Sequence, residues 1–273
     1  MSESVQKPYV LGNDPHELER LDRQAAMIER PTRTILQAAG LAAGQRVLDL
    51  GTGLGHVARI AGELVAPGGS VVGLDGSTDA LAVARARATA AAERQVSFVE
   101  GDVRSFRAET PFDAIAGRLI LFHLADPAGV VRHHLLNLRQ GGTFAAIDFD
   151  LGACRAEPDV PLVAQALGWV TGAFEAAGAA PRVGARLGPI LRDAGLKNVT
   201  TLGLQGYVQP GDPAAGRLLG GVVRSLAPAI VAHGFATPEQ LALDTLDERI
   251  TQALTAADAV LIPPIVVGAW GRT

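Results

Sequence analysis

The stretch RVLDLGTGLGHVARIAGE, residues 46–63, sets three elements in succession: an apolar run, three glycines at Gly51, Gly53 and Gly55, and an amphipathic run. The first run reads as a buried strand. The last, with apolar residues at three- and four-residue spacing, reads as a helix. The glycines therefore occupy a strand-to-helix turn. A turn stripped of side chains lets the backbone approach a ligand, and the helix N–H groups that follow point at any anionic group.

Outward from this turn the pattern repeats. Runs rich in Val, Ile, Leu and Phe at 46–50, 70–75, 96–100, 112–117 and 143–149 read as strands of a sheet covered on both faces. Helical patterns at 55–64, 78–92 and 127–138 lie between them. The alternation predicts an α/β fold, a doubly wound and mostly parallel sheet, because parallel neighbours need a right-handed crossover. Two further strands fit at 198–208 and 260–269, with helical patterns at 214–232 and 238–257 between them.

The composition narrows the function classes. A chain of 273 residues, 48% hydrophobic, can bury a full core. Its net charge is −4 and its Lys and Arg residues are scattered singly, without the footprint of a nucleic-acid binder. The polar N-terminal residues lack the basic-then-apolar pattern of a signal peptide, and a cytoplasmic location is expected. One cysteine, Cys154, allows no intrachain disulfide and no thiolate metal cluster. Residues 161–180 match a membrane span in length, but Gln165 and Glu175 interrupt them. They read as a packed cap helix, and no membrane partner is expected.

The spacing of the glycines discriminates among nucleotide ligands. Dinucleotide enzymes use G-x-G-x-x-G; here the series is G-x-G-x-G, and His56 stands where the longer motif places its last glycine. No G-K-[ST] follows, which excludes a P-loop. Asp49, two residues before Gly51, either caps the turn or meets a cationic amine. Asp75, closing the second strand, is placed to accept from both hydroxyls of a ribose. Asp102, in VSFVEGDVRSF, closes the third strand. From there its carboxylate or the Val103 N–H can meet the amine and ring nitrogen of adenine, the alternative being an ordinary turn residue.

Together these residues resemble the class I S-adenosylmethionine-dependent methyltransferases, in the branch that acts on small molecules. VLDLGTGLG is similar to that family's first motif, VVGLDGS to its acidic second-strand motif and VEGDV to its adenine motif. FDAIAGRLILFHLADP is similar to its fourth-strand motif, and GGTFAAIDFD fits the fifth strand. RLGPILRDAGLKNV and VVGAWGR match more loosely, and YVLGNDPHELERLDRQ is similar to the N-terminal segment of one small-molecule branch. The resemblance implies S-adenosyl-L-methionine as cofactor and strand order 3-2-1-4-5-7-6 with the last strand antiparallel. It implies cofactor contacts at Asp49, Gly51, Thr52, Gly53 and Gly55, at Asp75, Gly76 and Ser77, and at Asp102 and Val103, with Tyr9 and Gln24 at the methionine end. It also implies a single methyltransferase domain over 1–273, with an N-terminal helical cap at 1–40 and helical cap or dimerisation insertions at 155–182 and 211–257.

Methyl transfer is an in-line displacement whose leaving group is already activated, so the protein mainly aligns the acceptor and keeps it dry. A base matters only if the acceptor must lose a proton. His123, just after the fourth strand, is the candidate, its alternative being a hydrogen bond to a loop carbonyl. His133 and His134 read as helix surface or packing residues. Arg118 fits either a cofactor or substrate carboxylate or a structural ion pair. Asp148 and Asp150 alternate along the fifth strand and point the same way, Asp148 toward a substrate; two carboxylates alone do not make a metal site, and none is expected. Trp169 and Phe174 give the 155–182 insertion an apolar character suited to an acceptor pocket or a homodimer contact. GRLILF lacks the Asn- or Asp-Pro-Pro-aromatic signature of DNA amino-methylating enzymes, which favours a small organic acceptor, methylated on O, N or C. Two rivals share these features: a protein of the same fold using the bound sulfonium for other chemistry or serving as a non-catalytic subunit, and an NAD(P)-dependent oxidoreductase.

Overall fold

A computed structural model of the protein describes residues 15–273, with side chains from residue 21 onward. Tyr9 lies outside the described residues. Helices α1 (Pro15–Met27) and α2 (Glu29–Ala38) come first, and α3 (His56–Val65), α4 (Thr78–Ala90) and α5 (Pro127–His134) alternate with strands. Then follow α6 (Pro161–Ala176), α7 (Leu187–Asp193), α8 (Ala214–Ala232), α9 (Pro238–Leu241) and α10 (Leu243–Ala256). The chain divides into two compact units, one of residues 25–152, 180–205 and 264–273, the other built mainly of 153–179 and 206–263.

The first unit holds the sheet. Its strands are β1 (Arg46–Leu50), β2 (Ser70–Asp75), β3 (Val96–Glu100), β4 (Phe112–Arg118), β5 (Leu138–Asp150), β6 (Lys197–Leu204) and β7 (Ile265–Arg272). Among the described residues these seven lie in the order 3-2-1-4-5-7-6, with β7 antiparallel to both of its neighbours. This is the order implied by the resemblance. Val47, Leu48 and Leu50 of β1 are fully buried, as expected for a strand covered on both faces. In this unit two helix starts carry side-chain caps among the described residues: Ser77 accepts from Ala80 N ahead of α4, and Asp126 accepts from Gly129 N ahead of α5. The N-cap of α3 is Gly55, left-handed at φ +83° and without a side chain to cap the first amides. In that first turn the Ala58 amide favours the charged form of the Asp49 carboxyl.

The second unit is helical. Val163, Ala166, Trp169, Val170, Ala173 and Phe174 form the buried face of α6, which packs with α8 and α10. Among the described residues α8 is the helix long and apolar enough to cross a membrane by length and composition. Its own buried face includes Leu219, Val223, Leu226 and Ile230.

Several element boundaries differ from the sequence-based expectation, among them the strand expected at 198–208, which ends at Leu204. The strand expected at 260–269 is split at Pro263 and Pro264, whose missing N–H groups interrupt a ladder. Val260–Ile262 pairs instead with Arg155–Glu157 in a separate two-stranded sheet. The helix expected over 238–257 breaks at Ala242, left-handed at φ +43°, after a short helix opened by a Thr237–Gln240 capping box. The helix expected to reach 138 ends as a 3-10 turn over Leu135–Asn137, because β5 begins at Leu138.

Candidate active site

The glycine turn leaves β1 with Gly51, Gly53 and Gly55 all left-handed, at φ +64°, +51° and +83°. Only glycine adopts this conformation without strain. A Cβ on Gly51 would meet Ile120 at 2.8 Å, and one on Gly55 would meet Phe98 and Ala84 at 3.1 and 3.2 Å. A Cβ on Gly53 would meet nothing within 4 Å. Gly51 and Gly55 are glycines partly because protein crowds them. Gly53 faces open space, as a backbone kept bare for a ligand must.

Asp75 ends β2 beside this turn. Its Oδ2 accepts from Gly53 N at 2.8 Å and its Oδ1 from Ser77 N at 2.9 Å. Each carboxylate oxygen carries about two lone pairs. One on each oxygen is thus committed to holding the turn, and the other can accept a ligand hydroxyl.

Asp49 lies on the inner side of the turn and is 1% exposed. Thr52 Oγ1 donates to its Oδ2 at 2.6 Å, while Oδ1 is buried with no hydrogen-bond partner of ordinary geometry, the Ala58 amide favouring the charged form. Burial pushes the Asp49 carboxyl up to about 7, against the Thr52 hydrogen bond and the positive charge of Arg118. Arg118, at the end of β4, donates to Thr32 Oγ1 at 3.0 Å, and Thr32 Oγ1 donates to Ile28 O at 2.6 Å. Burial brings the guanidinium down to about 10, so it stays charged at neutral pH. Arg118 thus anchors the β4 edge to α2 and places a positive charge near a buried carboxylate.

The Asp102 side chain does what a turn residue does. Its carboxylate takes Arg104 Nε at 2.9 and 3.0 Å, Arg104 Nη2 at 2.6 Å and Arg104 N at 2.8 Å. Chiefly the Arg104 side chain holds it below the usual carboxylate range. Val103 N–H, by contrast, donates to no backbone acceptor among the described residues.

His123 closes a 3-10 turn over Leu121–His123, directly after β4, with its ring edge-on to Phe122 at 4.9 Å. Burial lowers its pKa and keeps the imidazole neutral near pH 7. Asp148 on β5 is fully buried and neither carboxylate oxygen has a hydrogen-bond partner of ordinary geometry. The amides of Phe122 and Leu121 favour its charged form, but burial dominates and raises its pKa well above the usual range. Asp150, two residues on, accepts from Gly152 N at 2.9 Å and caps the turn there. Trp169 and Phe174 are 5% and 7% exposed, buried within the helical unit, and Gln24 is a half-buried residue of α1. No cluster of three or more His, Cys, Asp or Glu that could hold a metal occurs among the described residues.

Sequence reasoning placed Asp102 and Val103 in the loop after β3 and read His134 as a surface or packing residue, but missed what holds the loop. His134 is fully buried and its Nε2 lies 2.6 Å from Val103 O, while Asn137 reaches both Phe106 O and His134 Nδ1. The one signal in the sequence was a polar His and Asn at i and i+3 on an otherwise packed helix end.

A family model described as a methyltransferase domain matches residues 41–176. The chain is 36% identical over 102 residues to a ubiquinone biosynthesis O-methyltransferase of Albidiferax ferrireducens, covering 37% of this chain and 39% of that protein. It is 36% identical over 115 residues to an arsenite methyltransferase of Aquipseudomonas alcaligenes, covering 39% and 33%. The alignments therefore span well under half of those relatives. Among solved structures, the YcgJ protein of a Bacillus species superimposes with a TM-score of 0.59 at 19% identity, over 90% of this chain and 99% of that one. This last likeness establishes the fold.

Proposed function

Because the chain belongs to the S-adenosylmethionine-dependent methyltransferase family, we propose that it transfers the methyl group of S-adenosyl-L-methionine to a small, apolar organic acceptor. The observation that carries this reading is the pairing of Gly53, bare toward open space, with Asp75, whose two oxygens each keep an acceptor site. When bound, the cofactor supplies a methyl carbon on a positively charged sulfur. Asp75 accepts from its ribose hydroxyls and Gly53 admits its close approach. The uncommitted oxygen of Asp49 faces its amine, with Gly51, Thr52 and Gly55 shaping the turn and Gly76 and Ser77 the end of β2. Val103 N–H meets the adenine ring. Arg118 keeps the Asp49 carboxylate electrostatically supported. Positioning of this kind supplies about 7–11 kcal/mol toward such a displacement.

His123, a neutral imidazole at the β4 edge, takes the acceptor's proton where there is one to lose, and Asp148 lies on the neighbouring strand on the acceptor's side. In the same reading the apolar helical unit serves self-association, with Trp169 and Phe174 in its packed interior. The net charge of −4 supports a small-molecule acceptor rather than nucleic acid, and a cytoplasmic location goes with this reading. The test is calorimetric titration with S-adenosylhomocysteine and with NAD(P), followed by incubation with labelled cofactor and an acceptor library. Binding of the first ligand alone and products heavier by one methyl group are expected; NAD(P) binding alone overturns the reading.

A further inference from the structure

The loop after β3, residues 101–108, is held from one side by the end of α5. His134 Nε2 is 2.6 Å from Val103 O, and His133 Nε2 is 2.9 Å from Phe106 O. A carbonyl only accepts, so both Nε2 atoms carry the hydrogen, and His134 Nδ1 is left as an acceptor. Asn137 Nδ2 fills that acceptor at 3.0 Å and also donates to Phe106 O at 3.1 Å, while its Oδ1 accepts from Ala108 N at 3.0 Å. Every polar atom of the buried pair is satisfied, and each bond beyond the pair itself ends on this loop.

The consequence reaches Val103 N–H, which donates to no backbone acceptor among the described residues. Asp102 O accepts from Ser105 N at 3.1 Å and Phe106 N at 2.9 Å, so the Asp102–Val103 peptide turns its carbonyl into the loop. In a trans peptide the N–H points opposite to the C=O, and Val103 N–H is therefore turned outward. His134 fixes the next peptide by holding Val103 O. The two peptide planes flanking Val103 are both locked, the first by the turn and the second from α5.

We propose that His134, braced by Asn137, is a positioning residue for nucleobase recognition, acting through Val103 to aim the outward N–H that selects adenine. The proposal rests on the methyltransferase reading above and deepens it. His134 does not touch the cofactor. It stays neutral to do this work, burial bringing its pKa down to about 4, so the Nε2 hydrogen is present and Nδ1 remains an acceptor throughout the physiological range.

Adenine offers an unprotonated ring nitrogen to such a donor, whereas hypoxanthine offers N–H at the same place. Titration of the wild type with S-adenosylhomocysteine and with S-inosylhomocysteine should therefore show a preference for the adenine ligand of about 5- to 150-fold, the range for two donors forced together. His134→Gln, whose amide reaches the Nε2 position, should keep that preference. His134→Asn, whose amide reaches only the Nδ1 position, should lose most of it while remaining folded. A purely structural role predicts loss of stability with the ratio unchanged. Equal preference in the wild type and both variants overturns the proposal, as does a glutamine variant that fails as fully as the asparagine one. If neither variant folds, the His134 imidazole nitrogen resonances of the wild type decide. They should shift on adding S-adenosylhomocysteine and not on adding S-ribosylhomocysteine, which lacks the base; unmoved resonances with both overturn the proposal. A wild type that binds no S-adenosylhomocysteine defeats the methyltransferase reading itself, and this proposal with it.

Discussion

Gly53 N–H donates to Asp75 Oδ2 at 2.8 Å, tying the glycine turn after β1 to the end of β2. The bond makes the shape of the turn depend on the same carboxylate that is proposed to read the ribose. Removing Asp75 thus has two effects that a single contact would not have: it takes away two acceptors and releases the turn.

Asp75→Ala is expected to weaken S-adenosylhomocysteine binding by about 1–3 kcal/mol, since the ligand's hydroxyls are desolvated without a partner. Gly53→Val is expected to abolish binding, because its side chain would enter the space that stands open and the residue would be strained at φ +51°. Calorimetry on both variants, with thermal unfolding alongside, measures this. Wild-type affinity in the two folded variants contradicts the proposed cofactor site.

The fold was legible because its punctuation is local. Strands covered on both faces leave unbroken apolar runs, and Gly55, Ser77 and Asp126 mark helix starts one residue before them. What was not legible is which of several possible partners a polar group takes. Nothing near Asp102 says that Arg104 rather than a ligand takes its carboxylate, and nothing near His134 says that its ring meets Val103, 31 residues earlier. Pro263 and Pro264 could have warned that the terminal strand is divided, but an apolar run on both sides masked them. Trp169 and Phe174 show a related ambiguity: an apolar helix face reads the same whether it waits for an acceptor or is already packed, as here it is within its own unit.

Asp49 predicts a pH dependence of stability. Unfolded, its carboxyl titrates near 4; folded, near 7. The folded protein therefore holds the proton longer. This group's contribution is fully present below about pH 4 and is lost as the pH rises toward 7, by roughly 4 kcal/mol at most for a shift of about three units. Asp49→Asn keeps an acceptor for Thr52 and removes the cost of the buried charge. Denaturant unfolding should show the variant gaining on the wild type between pH 4.5 and 8. In the same variant S-adenosylhomocysteine should bind more weakly at pH 8, about tenfold or more, because a charge-assisted bond is lost. A stability difference that does not change with pH contradicts the first expectation.

Asp148 should behave as a second, independent case. Its carboxyl is fully buried without hydrogen bonds of ordinary geometry and its pKa is raised well above the usual range. Asp148→Asn, nearly equal in shape, is therefore expected to cost little near pH 4. As the pH rises, the wild type must either hold the proton against bulk solvent or bury a charge, and the variant should become relatively more stable by about 1–3 kcal/mol. Thermal unfolding across pH 4.5–8.5 reads this directly. A variant that loses stability at every pH would mean that the Asp148 charge is compensated in the folded protein.

His123 is tested by the pH dependence of turnover. Its imidazole sits directly after β4 and burial lowers its pKa, so it is neutral and able to accept a proton at neutral pH. With an acceptor that must lose a proton, wild-type turnover should fall on the acid side as the imidazole becomes protonated, at a pH below the ordinary histidine value. His123→Ala should reduce turnover by about 10²–10⁴-fold and erase that limb, while S-adenosylhomocysteine affinity stays near wild type. An acceptor that attacks through an already deprotonated atom or an aromatic carbon needs no base, and with it the same substitution should cost little. The two acceptor classes thus make opposite predictions for one variant. A large loss of thermal stability would assign the ring to packing against Phe122, and an acid limb retained in an active, folded variant would remove His123 from the chemistry.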